Sequence, residues 1–156
     1  MKNPFSIVRL IVRHRRPSRL QRMTAVADGF WLGEGYAALT FFGYIVTKTQ
    51  READKVNSTY TTLNNHEDIH LRQAQACHDS WVLFYLRYTW YWLKAVLTPG
   101  ISAHEAYRLN PFEMEAYLND HDMDYPRRCS SQGGAQQWRR FAKMTLSERR
   151  HCYNVV

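Results

Sequence analysis

The feature that most constrains the fold is the apolar, aromatic run WVLFYLRYTWYWLKAVL, from Trp81 to Leu97. The Thr-Pro-Gly sequence at 98–100 follows it and is typical of a helix end. The run is slightly short to span a bilayer, and it carries Arg87 and Lys94 on one helical face. It therefore predicts a helix buried in a core. The alternative left open is a helix that lies in a membrane interface, where Trp and Tyr are favoured.

The chain has 156 residues, which is enough for one domain with a real core. Hydrophobic residues make up 45% and aromatic residues 14%, a composition that folds. The net charge of +7 allows nucleic acid, an anionic membrane surface or an acidic protein as a partner. The excess charge lies toward the two ends of the chain, and no helix-turn-helix, zinc-finger or RNA-binding signature is present. A nucleic-acid partner is therefore not expected.

The three cysteines, Cys77, Cys129 and Cys152, are odd in number and form no C-x-x-C pair. This argues against a disulfide framework and against a cysteine zinc site, and it fits a reducing compartment. The apolar run FSIVRLIV is interrupted by Arg9 and followed by a basic block, so no signal peptide is predicted. We expect a cytoplasmic protein, with membrane-surface association through residues 81–97 as the alternative.

The order of the remaining elements predicts an α+β fold, with a short β-hairpin or sheet edge beside a mainly helical core. A short helix is predicted from Phe5 to Arg13 and a strand or hairpin within residues 36–48, which are rich in β-forming residues. Residues 50–58 are predicted to be a polar connection. Further helices are predicted at 61–78, 80–97, after Ser102, at 111–120 and at 136–144, with a flexible link at 129–134.

The helix predicted at 61–78 contains His66, Glu67 and His70 in the spacing H-E-x-x-H. Positions i and i+4 lie on one face of a helix, so the two imidazoles could close on one zinc ion. Glu67 would flank the open position of the metal and could take a proton from a water that the zinc has acidified. The alternative is an exposed polar helix that matches the motif by chance.

A catalytic zinc of this kind needs a third protein ligand, and the candidates are Glu113, Glu115 and His104. Glu113 and Glu115 point about 200° apart on a helix, so both cannot serve one metal. We favour Glu113, because the small Ala116 beside it would let its helix approach the motif helix closely. The alternative role for Glu113 is a capping box with Asn110.

Several other polar residues are candidates for supporting roles. Tyr107, Arg108 and Tyr117 could stabilise the oxyanion of a tetrahedral intermediate. Gln73, three residues after His70, could hydrogen-bond a ligand or a substrate, or simply lie on the surface. The acidic residues within 120–124 are interpreted as a solvated turn and not as a second metal site.

The segments NHEDIHLRQ at 65–73 and AYRLNPFEMEAY at 106–117 resemble the gluzincin branch of the zincin metallopeptidases. They are more closely similar to small bacterial zincin-like proteins with the forms N-H-E-x-I-H-x-x-Q and A-Y-R-x-x-x-F-E-x-E-A-Y, separated by an aromatic helix. The resemblance implies a Zn²⁺ cofactor and a peptide or protein substrate. It implies that His66, His70 and Glu113 bind zinc and that Glu67 is the general base. Tyr107 and Tyr117 remain the candidate catalytic tyrosines on the oxyanion argument given above.

The resemblance covers roughly residues 36–127. From this resemblance, together with the composition of the two ends, we expect a basic lead-in at 1–28, a zincin-like metal-binding domain at 29–128, and a C-terminal linker with an amphipathic helix at 129–156. Many gluzincins carry an aspartate, four residues after the ligand glutamate, that orients a ligand histidine; this chain has Tyr117 there. That departure leaves open a zincin-like metal-binding protein with weak or no catalytic activity.

Overall fold

The computed structural model describes residues 16–29, 32 and 38–154. Within them the fold is α+β, with a three-stranded mixed sheet, eight α-helices and one short 3₁₀-helix, Pro17–Arg19. The prediction of a small sheet beside a mainly helical core is confirmed. The helix predicted from Phe5 to Arg13 lies outside the described residues.

Every element predicted within the described residues is present, and a strand at 24–26 and helices at 50–58, 125–131 and 146–154 were not predicted. The strands are β1 (Thr24–Val26), β2 (Ala38–Phe41) and β3 (Tyr44–Thr47). The helices are α1 (Gln50–Ser58), α2 (Thr62–Ala76), α3 (Trp81–Val96), α4 (Ala103–Arg108), α5 (Pro111–Asn119), α6 (Tyr125–Ser131), α7 (Trp138–Lys143) and α8 (Leu146–Asn154).

The strand β3 is the centre of the sheet, with β1 parallel to it on one side and β2 antiparallel on the other. The β2–β3 hairpin turns at Phe42 and Gly43, which have φ values of 47° and 91°. Positive φ at both central residues is typical of the two-residue hairpin turns that match strand twist. All four residues of β3 are buried, so this strand anchors the sheet in the core.

The prediction of a polar connection at 50–58 is wrong, because these residues form helix α1. The side chain of Thr49 accepts a hydrogen bond from the Glu52 backbone N–H, and the Glu52 carboxylate accepts one from the Thr49 backbone N–H. This reciprocal capping box satisfies two backbone donors at the helix start. Ala53 is the buried residue of the helix, so its apolar face is too narrow to show in the sequence.

Helix α2, which carries the H-E-x-x-H motif, is polar in sequence but lies in the middle of the molecule. Nearly every residue from Asn64 to Ala76 is buried. Its charged groups have partners there: Arg72 donates to the carbonyls of Leu20 and Gln21, and Asp68 accepts from the Met23 backbone N–H. The alternative of an exposed polar helix is therefore wrong.

Helix α3 ends within one residue of each predicted boundary, but only one of its faces is buried. Trp81 and Phe84 are 2% exposed, and the Phe84 ring meets the Phe112 ring edge-on. The opposite face is exposed to solvent. No helix in the described part of the chain combines the length and the apolar character needed to cross a membrane.

The residues after α6 pack on the same core as the motif helix. The predicted flexible link at 129–134 is partly wrong, because α6 continues to Ser131. The Ala135 backbone N–H donates to the Arg72 carbonyl at 3.0 Å, and the Trp138 ring stacks on the Phe112 ring. The helix predicted at 136–144 is present as α7, and α8 follows it.

Candidate metal centre

Helices α2 and α5 bring the three predicted metal ligands into one buried group. The Nε2 atoms of His66 and His70 lie 3.2 Å apart. Glu113 Oε2 lies 3.2 Å from His66 Nε2, and Glu113 Oε1 lies 3.3 Å from His70 Nε2. The three residues are between 2% and 7% exposed. This group could hold a metal ion.

The spacing of these atoms is close to that of metal ligands. Metal–ligand bonds of about 2.0–2.1 Å place the corners of a tetrahedron about 3.3–3.4 Å apart. The two histidine Nε2 atoms lie 3.2 Å apart, and each faces a different oxygen of Glu113, at 3.2 Å for His66 and 3.3 Å for His70. The three side chains therefore surround a position that a metal ion with short bonds could occupy.

Glu113 does not close a capping box at the start of α5. Asn110 caps this helix alone, since its Oδ1 accepts from the Phe112 backbone N–H at 3.2 Å. The Glu113 carboxylate instead faces the two histidines and accepts a hydrogen bond from the Tyr88 hydroxyl at 2.7 Å. The capping alternative for Glu113 is therefore wrong, and Tyr88 of α3 fixes one of its oxygens.

The two other candidates for third ligand lie elsewhere. Glu115 is fully buried, and its carboxylate accepts from Gln73 Nε2, the Tyr125 hydroxyl and the Gln137 backbone N–H, at 2.8, 2.8 and 2.7 Å. His104 is exposed on α4. Glu115 points away from the histidines, as the helical geometry predicted, and acts as a buried structural acceptor.

Gln73 sets the orientation of His70. Its Nε2 donates to the Phe112 carbonyl at 2.9 Å and to Glu115 at 2.8 Å, so its Oε1 must face His70 Nδ1, which lies 2.8 Å away. An amide oxygen can only accept, so His70 Nδ1 carries a hydrogen and Nε2 is the ring nitrogen left to bind a metal. Nε2 faces Glu113 and His66, where a metal would sit.

His66 is oriented by residues from the end of α5. The Tyr117 ring packs edge-on against the His66 ring with centroids 4.6 Å apart. Asp120 Oδ2 lies 3.7 Å from His66 Nδ1. Asp120 therefore places a carboxylate near His66, although position 117, where many gluzincins have an aspartate, is a tyrosine. Burial lowers the pKa of His66, but Asp120 and Glu113 outweigh it and raise that pKa to about 10.

The sequence interpretation missed Asp120, which was grouped with a solvated acidic turn. The available signal was its position seven residues after Glu113, which returns to nearly the same side of a helix. Tyr88 was also missed, because it lies in the apolar run of α3. A tyrosine hydroxyl that faces the core usually has a hydrogen-bond partner, and here the partner is Glu113.

Glu67 is buried beside the metal-binding group, with 7% exposure. Burial raises its pKa, and the neighbouring His66 and His70 lower it, with a net upward direction. A carboxylate whose pKa is raised is, in its ionised form, a stronger base than a solvated one. The electrostatic environment of Glu67 therefore suits proton transfer.

The predicted tyrosines lie around the same group. Tyr107 is close enough to Glu113 and Tyr117 that both, after burial, raise its pKa well above the usual range. Tyr117 contacts His66, as described above. The Arg108 guanidinium lies over the rings of Tyr117 and Tyr153, at 5.6 and 4.6 Å from their centroids. Arg108 therefore packs against the Tyr117 ring.

Comparison of the chain with protein-family models, curated proteins and solved structures gives no match. The resemblance carried by residues 65–73 and 106–117 stays a prediction. What can be argued about function therefore comes from the geometry of the buried His66, His70 and Glu113 group.

Proposed function

We propose that the protein is a zinc-dependent hydrolase of the zincin type that cleaves peptide bonds. The observation that carries the proposal is the convergence of the His66, His70 and Glu113 side chains, 3.2 to 3.3 Å apart, with Glu67 buried beside them. Two imidazoles and one carboxylate are the donor set of the His₂Glu catalytic zinc sites. Such sites leave one position open for water or substrate.

The roles of the side chains follow from this arrangement. A bound zinc would supply Lewis acidity that polarises the scissile carbonyl and acidifies water. Glu67 accepts the proton of the attacking water and returns it to the leaving amine. Tyr107 and Tyr117 are the hydroxyl donors available to a developing oxyanion. Tyr88 holds the Glu113 carboxylate, and Gln73 holds His70.

The test is the substitution Glu67→Gln, which keeps the shape of the side chain but removes the base. We expect the variant to retain one zinc per chain and to lose about 10²- to 10⁴-fold in hydrolysis of a peptide library. His66→Ala should lose the metal, while Asp54→Asn on the exposed face of α1 should change neither property. Metal analysis that finds no zinc in the wild-type protein, or finds equal zinc in His66→Ala, would contradict the proposal.

The burial of the site favours a second candidate, a zincin-like metal-binding protein with weak or no catalysis. His66, Glu67, His70 and Glu113 are each at most 7% exposed, which restricts entry of a polypeptide substrate. This candidate predicts stoichiometric zinc that depends on His66 and no hydrolysis above the Glu67→Gln background. Hydrolysis that Glu67→Gln abolishes would exclude it.

A further inference from the structure

A row of large apolar side chains runs along the exposed face of α3, and we call it the α3 stripe. Its members are spaced by three or four residues, so they lie on one side of the helix over about 22 Å. They are Val82 (62% exposed), Leu86 (64%), Trp90 (61%), Leu93 (40%) and Leu97 (78%). A contiguous exposed stripe of this kind marks an interaction surface, whereas single exposed apolar residues do not.

The stripe cannot turn into the core, because the opposite face of α3 is already packed. Phe84 contacts Phe112, with ring centroids 5.1 Å apart, and Trp81 is almost completely buried. On the same inner side, Tyr88 donates its hydroxyl hydrogen to Glu113. The fold therefore fixes the stripe on the outside.

The segment that carries the stripe has no acidic residue, since the chain contains no Asp or Glu from Ser80 to His104. Its Arg87 donates to Cys77 Sγ and lies over the Trp138 ring, so Lys94 is the cation of this segment that stands beside the stripe. Lys94 is exposed and lies one turn from Trp90, at the edge of the stripe. Trp and Leu with a lysine at the rim are typical of helices that lie in a membrane interface.

The nearest acidic residues at the two ends of this segment already have partners. Asp79 accepts hydrogen bonds at 2.6 Å from both the backbone N–H and the hydroxyl of Ser18. Glu105 forms an ion pair with Arg150 at 2.6 Å. Arg150 therefore balances the charge of Glu105, whereas the neutral donors of Ser18 leave the charge of Asp79 in place just before this segment.

We propose that the α3 stripe docks on the surface of an anionic lipid bilayer, with α3 parallel to the membrane plane. Leu86, Trp90 and Leu97 would enter the boundary between headgroups and acyl chains, and Lys94 would face lipid phosphates. The chain's net charge of +7 favours an anionic surface and opposes a second copy of itself. Nucleic acid would leave the apolar stripe in water. The docking does not depend on the proposed hydrolase activity.

The test is binding of the full chain to vesicles of phosphatidylcholine alone and of phosphatidylcholine mixed with phosphatidylglycerol, measured by flotation. We expect binding to the mixed vesicles that weakens as salt increases, and much weaker binding to phosphatidylcholine alone. Lipids brominated on the acyl chain should quench wild-type tryptophan fluorescence, and Trp90→Phe should remove that quenching.

Matched double variants separate the stripe from general apolar exposure. Leu86→Ser with Leu97→Ser should reduce vesicle partitioning about tenfold per leucine. Leu39→Ser with Leu118→Ser removes two exposed leucines outside the stripe and should leave vesicle partitioning unchanged. Lys94→Gln should lower partitioning to the mixed vesicles about fivefold and should not change partitioning to phosphatidylcholine alone. Circular dichroism and zinc content should be the same in all variants.

Three outcomes would overturn the proposal. Partitioning that survives loss of Leu86 and Leu97 would place membrane binding elsewhere in the chain. Equal, salt-independent binding to both vesicle types would contradict the proposed preference for anionic lipid. Absence of vesicle binding, with a dimer in sedimentation that Leu86→Ser and Leu97→Ser abolish, would make the stripe a contact between two copies or with another protein.

Discussion

At the scale of single residues, the candidate metal centre depends on side chains that never touch the metal position. The Phe112 carbonyl and Glu115 fix the amide of Gln73, and Gln73 then fixes the tautomer of His70. Because Nδ1 of His70 is the donor to Gln73, Nε2 already faces the metal position before any metal arrives. This order lowers the cost of organising the ligands on binding.

Removing the Gln73 amide should weaken metal binding. We expect Gln73→Leu to raise the zinc dissociation constant about 10- to 100-fold, because His70 loses the partner that orients it. Gln75→Leu, on the same helix, removes hydrogen bonds to Arg72 and Ser130 and should leave zinc affinity near the wild-type value. Competition titration with a chromophoric chelator measures both. Equal affinities in the two variants would show that Gln73 does not position His70.

At the scale of elements, α2 is the centre of the molecule although its sequence is polar. It is contacted by α3, α5, α6 and the 3₁₀-helix Pro17–Arg19, so its polar groups must be satisfied inside the protein. The chain passes close to the backbone of α2 at Gly134, after α6. A Cβ there would lie 2.4 Å from the Arg72 carbonyl oxygen and 2.5 Å from the Ala76 backbone nitrogen.

That contact gives a prediction with a control next to it in the chain. Gly134→Ala should lower the free energy of unfolding by several kcal/mol, on the order of 3, since backbone must move and the residue has φ +109°. Gly133→Ala has φ +83° but open space, so it should lose only about 1 kcal/mol. Urea unfolding followed by circular dichroism gives both values. Equal losses would mean that α6 and its loop can move away from α2.

At the scale of the whole molecule, the metal-binding group connects elements that are distant in the chain. His66 and His70 come from α2 and Glu113 from α5, while Tyr88 adds α3 through its hydrogen bond to Glu113. A metal held by these ligands would bind the folded chain and not the unfolded one. Zinc should therefore stabilise the entire fold by mass action.

Zinc at 100 times its dissociation constant should add about 2.7 kcal/mol to the free energy of unfolding, and a chelator should remove it. His66→Ala should show no such gain, whereas His104→Ala, which changes an exposed histidine, should show all of it. Because the pKa of His66 in the metal-free protein is raised to about 10, protons compete with zinc below that pH. The gain should therefore shrink as pH falls. Thermal unfolding with and without zinc tests this, and a gain that increases on acidification would contradict it.

The sequence by itself determined the helix that carries His66 and His70, the presence of β structure within residues 36–48 and the ends of α3. Each follows from a local pattern: the i, i+4 spacing, β-forming residues around a short turn, and a Thr-Pro-Gly break. Helical geometry also predicted that Glu113 and Glu115 point in different directions and that only one of them can face the histidines. The capping box that starts α1 was equally local and was overlooked, because the helix has so few apolar residues.

Only the tertiary structure decided which polar residues are inside. No local pattern shows that α2 is buried on nearly all sides. Nor does one show that the carboxylate near His66 comes from Asp120. Likewise Tyr88 and Leu86 belong to one apolar run, yet one reaches Glu113 and the other faces solvent. Burial depends on what packs against a helix from distant parts of the chain, and hydrogen bonds formed across such contacts have no fixed spacing in sequence.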